Sequence, residues 1–140
     1  MADQDQLRVR LVTPERILFE QPADAVELPA KNGYMEVLYG HAPLLAELGA
    51  GDVRIHAGGA GGEQIYNVSW GFVEVLPDRV TILASDALKP EEIDVNRAHE
   101  QVDRGQKMWN EAGDSEEAYH DALRVISEGE AKLATAEEKH

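Results

Sequence analysis

Residues 72–83 read Phe-Val-Glu-Val-Leu-Pro-Asp-Arg-Val-Thr-Ile-Leu and decide the fold of the first part of the chain. Two short runs rich in Val, Ile and Leu flank the segment Pro77-Asp78-Arg79. Proline fixes φ and cannot donate to a strand ladder, so this segment favours a turn. The flanking β-branched residues favour strands. The stretch therefore predicts an antiparallel β-hairpin.

Similar short strands precede this hairpin. In residues 7–12, Leu and Val alternate with Arg8 and Arg10, which is the period of two of a half-buried strand. Turns rich in Pro, Gly or Asn separate further strand segments at 17–19, 25–28, 34–38, 53–56 and 64–68. Short strands with no helical segment between them predict an antiparallel β-sandwich or flattened barrel over residues 1–88.

From Pro90 the hydrophobic period becomes that of a helix. Two narrow stripes follow, which are Val95, Ala98, Val102, Gly105, Trp109 and Ala112, and then Tyr119, Ala122, Ile126, Gly129, Leu133 and Ala136. Stripes of this width are typical of a seam between two helices. Because the connection is short, residues 89–140 are predicted to form an antiparallel helical hairpin.

The sequence also predicts where these helices begin and end. Pro90 and the acidic residues that follow it suit the first turn of a helix. Gly113 is expected to end the first helix in the left-handed conformation. Asp114 is expected to cap the second helix, with Glu117 completing a capping box.

Gly105 and Gly129 lie on the two stripes, where each costs about 1 kcal/mol relative to Ala in a helix interior. Two interpretations stay open. Either the glycines allow the two helix backbones to approach closely, or they make a hairpin of low intrinsic stability that undocks.

Composition limits the function. The 140 residues include no Cys, which excludes disulfides, thiolate zinc sites and Cys nucleophiles. The formal net charge is −14, which disfavours nucleic acid as a partner. The first residues are acidic and polar, unlike a signal peptide, and the chain has no apolar run of the length of a membrane span.

No residue pattern indicates catalysis. The glycine cluster at 58–62 lacks the Gly-Lys-Ser/Thr ending of a phosphate-binding loop, so a hairpin tip is expected there. His99-Glu100 resembles the start of a zinc-protease motif, but position 103 is Asp and not His. Ser69 is not in a Gly-x-Ser-x-Gly elbow. An enzyme using its carboxylates is therefore a weak hypothesis.

Residues 40–45, Gly-His-Ala-Pro-Leu-Leu, form an unusual loop at the rim of the β-region. Either Leu44 and Leu45 fold back into the core and His41 is hydrogen-bonded locally, or the segment is an exposed apolar edge used for docking. Composition alone favours the first interpretation.

The chain resembles the epsilon subunit of the rotary F-type ATP synthase over essentially its whole length. The resemblance is carried by residues 12–16 (Val-Thr-Pro-Glu-Arg), 40–45, 69–75 (Ser-Trp-Gly-Phe-Val-Glu-Val), 80–84 (Val-Thr-Ile-Leu-Ala) and 93–98 (Ile-Asp-Val-Asn-Arg-Ala). The order of these motifs, followed by a helical hairpin, makes the resemblance specific.

The resemblance implies a ten-stranded antiparallel β-sandwich over residues 1–88 and a regulatory two-helix hairpin over 89–140. It implies a non-catalytic rotor subunit of a proton-translocating synthase, peripheral at the cytoplasmic face of the inner membrane. The sandwich would contact the gamma subunit and the c-ring through Tyr34, Tyr39, His41, Pro43 and Leu44. The hairpin would reach the beta and alpha subunits and restrain ATP hydrolysis. The alternative is a free-standing β-sandwich that binds a small ligand.

Residues 93–98 match the nucleotide motif of this family, which implies Asp94 and Arg97 as candidate ATP contacts. No cofactor is expected beyond ATP as a weak regulatory ligand. Arg124 is the only arginine of the second helix, and Glu128 would repel a triphosphate, so ATP binding is predicted to be weak or absent. Residues 91–140 carry 6 basic and 14 acidic side chains, net −8, which predicts weak latching onto an acidic segment of beta.

Overall fold

A computed structural model describes residues 6–58 and 62–138 of the chain. The chain divides into two compact units, with the boundary between Lys89 and Pro90. The first unit contains seven strands, which are β1 (Leu7–Val12), β2 (Ile17–Ala23), β3 (Ala25–Ala30), β4 (Gly33–Leu38), β5 (Leu44–His56), β6 (Glu63–Leu76) and β7 (Arg79–Leu88). The predicted segments therefore all lie in strands, several of them longer than predicted.

The seven strands form one sheet in the order β2-β1-β7-β6-β5-β3-β4. The predicted hairpin is present, with Leu76 paired to Arg79 and Phe72 to Leu83. The expectation of a wholly antiparallel sheet is wrong at one place, because β1 and β7 pair in parallel. The reason is that β1 pairs on both sides. One neighbour is β2, its hairpin partner, and the other is β7, which is far from β1 in sequence.

β5 and β6 differ most in length from the sequence pattern. The segments predicted separately at 64–68 and 72–76 are the two halves of β6, and residues 44–52, which were not predicted as a strand, begin β5. Gly49 and Gly51 contribute no side chain to the pattern of β5, and the polar Asp52 is buried, which hides the strand. The expected number of ten strands compares with seven strands in the described residues.

In the three long strands, β5, β6 and β7, the residues that face the core switch from odd to even positions, or the reverse, at the same level of the sheet. Core side chains on one side of that level are Leu48, Val73, Val75, Val80, Ile82 and Ala84, and those on the other side are Val53, Ile55, Tyr66, Val68 and Ala87. Within each strand the two sets differ in parity, and Leu48, Gly71 and Ala84 are in register at the change. Since side chains alternate along a strand, such a change needs a local bend that re-aims them.

The bend in β6 lies at Trp70 and Gly71, with φ values of 58° and 128°. A Cβ on Gly71 would collide with the carbonyl oxygen of Leu83 on β7. Only glycine therefore fits at this position. Trp70 is the one residue other than glycine with positive φ in the described chain, so the bend concentrates backbone strain there.

Buried side chains from every strand form one hydrophobic cluster. The largest side chains with essentially no exposed surface include Leu7, Leu11, Leu28, Ile55 and Ile82. Phe19 and Tyr66 meet edge to face with centroids 6.4 Å apart, and the Tyr66 hydroxyl donates to the Leu18 carbonyl. The sheet thus encloses a single core.

The second unit contains two helices, α1 (Val95–Asn110) and α2 (Glu116–Glu138). The predicted start at Pro90 is wrong, because residues Pro90–Glu92 form a separate 3-10 turn. Asp94 is the N-cap of α1 and accepts a hydrogen bond from the Arg97 amide. Gly113 has φ +60°, as predicted, but it does not end α1, because the C-cap is Glu111 in the right-handed region and Gly113 lies two residues further, in the connection.

The predicted cap of α2 is displaced by one residue. The Ser115 hydroxyl, and not the Asp114 carboxylate, accepts from the Ala118 amide at 3.1 Å. Serine and aspartate are comparable caps, so which of the two is used depends on where the loop delivers the chain.

The two helices pack closely and antiparallel. A Cβ at Gly129 would lie 2.8 Å from the Val102 side chain, and one at Gly105 would lie 3.1 Å from the Ile126 amide nitrogen. Near the connection, Trp109 and Tyr119 meet edge to face at 4.5 Å. Close backbone approach therefore accounts for both glycines on the stripes.

Two further observations concern the chain as a whole. Neither α1 nor α2 combines the length and the apolar character needed to cross a membrane, within the ranges that the structure covers. The predicted glycine hairpin tip lies at the β5–β6 connection, but residues 59–61 are outside the described residues.

Candidate functional site

Four apolar side chains form a row across the outer face of the sheet. Phe72 on β6 pairs with Leu83 on β7, Leu83 pairs with Val12 on β1, and Val12 pairs with Ile17 on β2. Paired residues in a regular ladder point to the same side of a sheet, so Phe72, Leu83 and Val12 lie next to one another, about 5 Å from strand to strand. Ile17 adjoins Val12 across an irregularity in the β1–β2 pairing and is itself exposed. We call Ile17, Val12, Leu83 and Phe72 the apolar row.

The apolar row is exposed. Phe72, Leu83 and Ile17 retain 51%, 50% and 54% of their accessible surface, and Val12 is half-buried. A concavity of about 390 Å³ opens beside the row, lined by Val12, Thr13, Pro14, Phe72 and Leu83 among others. Single exposed apolar residues are common, but a contiguous row beside a concavity indicates a docking surface.

The bend in β6 places the row. Gly71 lacks a side chain and so brings β6 close to the Leu83 carbonyl, immediately next to the Phe72–Leu83 pair. At the other end, the Thr13 hydroxyl accepts from the Glu15 and Arg16 amides at 3.2 Å and fixes the turn that leads to Ile17. Backbone geometry at both ends therefore holds the apolar row on the surface.

A second exposed edge contains four of the predicted contact residues, Tyr39, His41, Pro43 and Leu44. Tyr39 and Leu44 retain 45% and 40% of their surface. The Gly40 amide donates to the Pro77 carbonyl at 2.7 Å, and His41 Nδ1 lies 2.8 Å from the Ala42 carbonyl oxygen. This segment, residues 39–45, is thus tied to the β6–β7 turn, and we call it the rim.

The interpretation that the rim leucines fold into the core is wrong for Leu45, whereas Leu44 pairs with the buried Val75 on the core face and keeps 40% of its surface at the edge of the sheet. Leu45 retains 71% of its surface, more than any other large apolar residue that the structure describes. Leu45 pairs with Glu74 on β6, one register row away from Phe72 on the same outer face. The local hydrogen bond expected of His41 is present, so only the part of that interpretation concerning Leu45 fails.

Tyr34 lies apart from the rim. It is the second residue of β4, opposite Pro29, and Tyr39 follows the other end of that strand, five residues or about 16 Å away. Its ring is exposed, but its hydroxyl accepts a hydrogen bond from the Asp52 amide at 2.9 Å. The structure therefore does not bring Tyr34 together with the other four predicted contact residues.

Sequence reasoning missed Ile17, Phe72 and Leu83 as surface residues, and for Leu45 it favoured the buried alternative. A signal for one of them was present. In residues 72–76, Phe72 shares its face with Glu74, while Val73 and Val75 occupy the other. An aromatic residue at the solvent-facing parity of a half-buried strand marks an exposed apolar position.

The candidate nucleotide residues lie at the start of α1. The Asp94 carboxylate caps the helix and also lies 3.8 Å from Arg97 Nε, while the Arg97 side chain retains 87% of its surface. On α2, the Lys132 ammonium pairs with Glu128 at 3.2 Å. Asp94 and Arg97 are thus adjacent, and each already contacts the other.

An ion-pair network crosses β3, β5 and β6. His56 Nε2 lies 2.8 Å from Glu27, and Arg54 lies within 3.5 Å of both Asp52 and Glu63. Asp52 and Glu63 face the Arg54 guanidinium, and Glu27 lies within hydrogen-bond distance of the His56 ring, which fits a structural role. No three His, Asp or Glu side chains are grouped as metal ligands within residues 6–58 and 62–138.

Comparisons with known proteins agree with this architecture. The family described as "ATP synthase, Delta/Epsilon chain, beta-sandwich domain" matches residues 6–90. The ATP synthase epsilon chain of Solibacter usitatus is 41% identical over 136 residues, which is 96% of this chain and 98% of that one. The ATP synthase epsilon chain of Koribacter versatilis is 41% identical over 109 residues, covering 78% of this chain and 75% of that one.

Among solved structures, a chain of the Euglena gracilis mitochondrial ATP synthase (OSCP/F1/c-ring) has the same fold. The TM-score is 0.77 at 22% identity, with 93% of this chain and 81% of that one covered. A chain from the central stalk/c-ring structure of the Tetrahymena thermophila mitochondrial ATP synthase gives 0.67 at 13% identity, with 93% and 96% covered. The chain belongs to the family of ATP synthase epsilon chains, the non-catalytic central-stalk subunits of the F-type ATP synthase.

Proposed function

We propose that this chain docks on the gamma subunit and the c-ring of a proton-translocating ATP synthase through the apolar row and the rim. Docked there, it transmits c-ring rotation to the catalytic head and performs no bond chemistry itself. It is held at the cytoplasmic face of the inner membrane, as a peripheral subunit, only through these contacts.

The observation that carries the proposal is the exposed apolar row beside its concavity. Covering the exposed parts of Phe72, Leu83 and Ile17 would contribute about 2 to 4 kcal/mol to association. The rim adds Leu45 and Tyr39 to the exposed apolar area. A stable interface buries about 800 Å² of surface on each partner. The apolar row and the rim together come closer to that area than either does alone.

The test is rebinding of the purified chain to membranes that carry the synthase without this subunit. The double variant Phe72→Ser, Leu83→Ser should bind roughly thirtyfold more weakly, since it removes about 2 kcal/mol of apolar burial. The control is Leu123→Ser, an equally exposed leucine on α2. Equal binding by the double variant and the unmodified chain would reject the docking surface.

The helical hairpin serves as a regulatory element that reaches the beta and alpha subunits. Its net charge of −8 opposes contact with an acidic segment of beta, so latching is weak. Deletion of residues 91–140 should change ATP hydrolysis only modestly. A several-fold activation on truncation would show that the hairpin latches firmly.

ATP binds this chain weakly or not at all. Asp94 is engaged in capping, and Glu128 is paired with Lys132 near the middle of α2. Titration calorimetry should show no micromolar binding to the isolated chain. Micromolar affinity that Arg97→Ala abolishes would establish Asp94 and Arg97 as a nucleotide site.

The expected ten strands can be reconciled with seven. Each of the three long strands changes face at one level of the sheet, so each half of β5, β6 and β7 can be counted as a separate strand. This would make the sheet a ten-stranded sandwich.

A further inference from the structure

Two arginines lie side by side on the same outer face as the apolar row. Arg8 on β1 and Arg79 on β7 are direct partners in the parallel pairing. Both side chains are exposed, and a concavity of about 250 Å³ lies beside them, lined also by Arg10 and Glu20. We call Arg8 and Arg79 the arginine pair.

The strand register gives the position of the arginine pair relative to the apolar row. Along β1 the outward residues are Arg8, Arg10 and Val12, and along β7 they are Arg79, Thr81 and Leu83. Because residues of one face repeat every two positions, the arginine pair lies about 13 Å from the apolar row along the strands. Both therefore fit beneath one partner.

Neighbouring carboxylates compensate this positive charge only in part. Glu20 lies 2.9 Å from Arg10, and Asp78 reaches Arg79 only at 4.0 Å. Within the described residues, Arg8 has no carboxylate within 4.0 Å. The lining of the concavity thus carries three guanidinium groups and one carboxylate, in a chain whose net charge is −14.

Like charges directly opposite each other destabilise a sheet. An anion that binds both guanidinium groups would remove that cost. Guanidinium groups match carboxylates in a planar, bidentate geometry, and Arg8 and Arg10 stand two residues, about 7 Å, apart on one strand. An extended acidic segment also presents its side chains at a spacing of about 7 Å.

We infer that the arginine pair binds an acidic, extended segment of the protein subunit that covers the apolar row. The inference rests on the proposed docking surface and adds a charged contact to it. The partner would contact the apolar row at one end of the strands and place carboxylates against Arg8 and Arg79 at the other end. These contacts fix the orientation of the partner, since charges at the periphery of an interface contribute to its register and to the association rate.

The other anions suit the site less well. Among the residues that the structure describes, no aromatic side chain lines the concavity, so a nucleotide base has no ring there to stack on. The net charge of −14 opposes approach to nucleic acid or to an anionic lipid surface. An acidic protein segment, held in place by the neighbouring apolar contact, does not depend on long-range attraction.

The test is the membrane rebinding assay, carried out at several KCl concentrations. Arg8→Glu and Arg79→Glu should each weaken binding about tenfold at low salt and reduce its dependence on salt. Arg104→Glu, at an exposed position on α1, is the control with the same change in net charge. Thermal unfolding of each variant checks that the fold is retained.

The outcomes separate the two proposals. If the arginine variants bind like the control while Phe72→Ser, Leu83→Ser binds weakly, the docking surface stands and this inference is wrong. If none of the variants weakens binding, the docking surface itself fails. Loss of binding to protein-free phosphatidylglycerol vesicles in Arg8→Glu, or competition by millimolar phosphate beyond that of KCl at equal ionic strength, would assign the arginine pair to lipid or phosphate instead.

Discussion

Gly71 allows β6 to approach β7 closely because it has no side chain. Its φ of 128° and the nearby Leu83 carbonyl both exclude a Cβ, and the Phe72–Leu83 pair lies next to it. Gly33 has a similar φ of 133° but no atom within 4 Å of its would-be Cβ. Substitution of Gly33 therefore tests the cost of the backbone conformation alone, and substitution of Gly71 tests that cost together with a steric collision.

We expect Gly33→Ala to lower the free energy of unfolding by about 1 kcal/mol, the cost of strained φ alone. Gly71→Ala should lower it by at least about 2 kcal/mol more, because β6 must also move away from β7. Urea denaturation of the two variants measures the difference. Equal losses would mean that β6 adapts without cost and that close approach does not define the bend.

Residue patterns located both stripe glycines and the left-handed Gly113, but they misplaced the end of α1 and the cap of α2 and favoured a buried Leu45. A cap depends on the path of the loop, which Asp114 and Ser115 suit equally well. The exposure of Leu45 depends on its pairing with Glu74, a partner 29 positions away. Local sequence does not contain that information.

At the scale of elements, the glycines of α1 and α2 set the distance between the helices. Alanine at Gly105 would gain about 1 kcal/mol of helix propensity. The added Cβ would also press on the Ile126 side chain and backbone, which costs about 1 to 3 kcal/mol when a packed contact is overfilled. The second effect should be the larger.

Gly105→Ala should therefore loosen the hairpin instead of stabilising it. Hydrogen exchange of the α2 amides near Ile126 should become faster. Ser127→Ala, at an exposed position of the same helix, is the control and should leave exchange unchanged or slower. Slower exchange in Gly105→Ala would mean that propensity dominates and that the stripe glycines are not needed for close packing.

The strand pattern was predictable wherever residues alternate strictly, as in residues 7–12 and 72–83. It failed in β5, because Gly49 and Gly51 contribute no side chain and Asp52 is buried on the strand. The parallel pairing of β1 with β7 was also not predictable, because it joins strands about seventy residues apart. Long-range pairing is set by the whole sheet and not by local periodicity.

At the scale of the whole molecule, the order of motifs from residue 12 to residue 98 predicted the family, and the comparisons confirmed it. The candidate site was only partly predictable. The rim stood out as a local motif, whereas the apolar row is assembled from four strands and exists only in the folded sheet. A site whose residues come from separate segments is hidden from single-sequence analysis.

The absence of cysteine from the chain allows the central claim to be tested directly. Leu83→Cys places one thiol in the apolar row, and Leu123→Cys places one at similar exposure on α2. Maleimide labelling is measured for the free chain and for the chain rebound in the intact synthase. Docking through the apolar row predicts that the Leu83→Cys thiol is accessible in the free chain and protected in the complex. Equally fast labelling of Leu83→Cys in both states would contradict it.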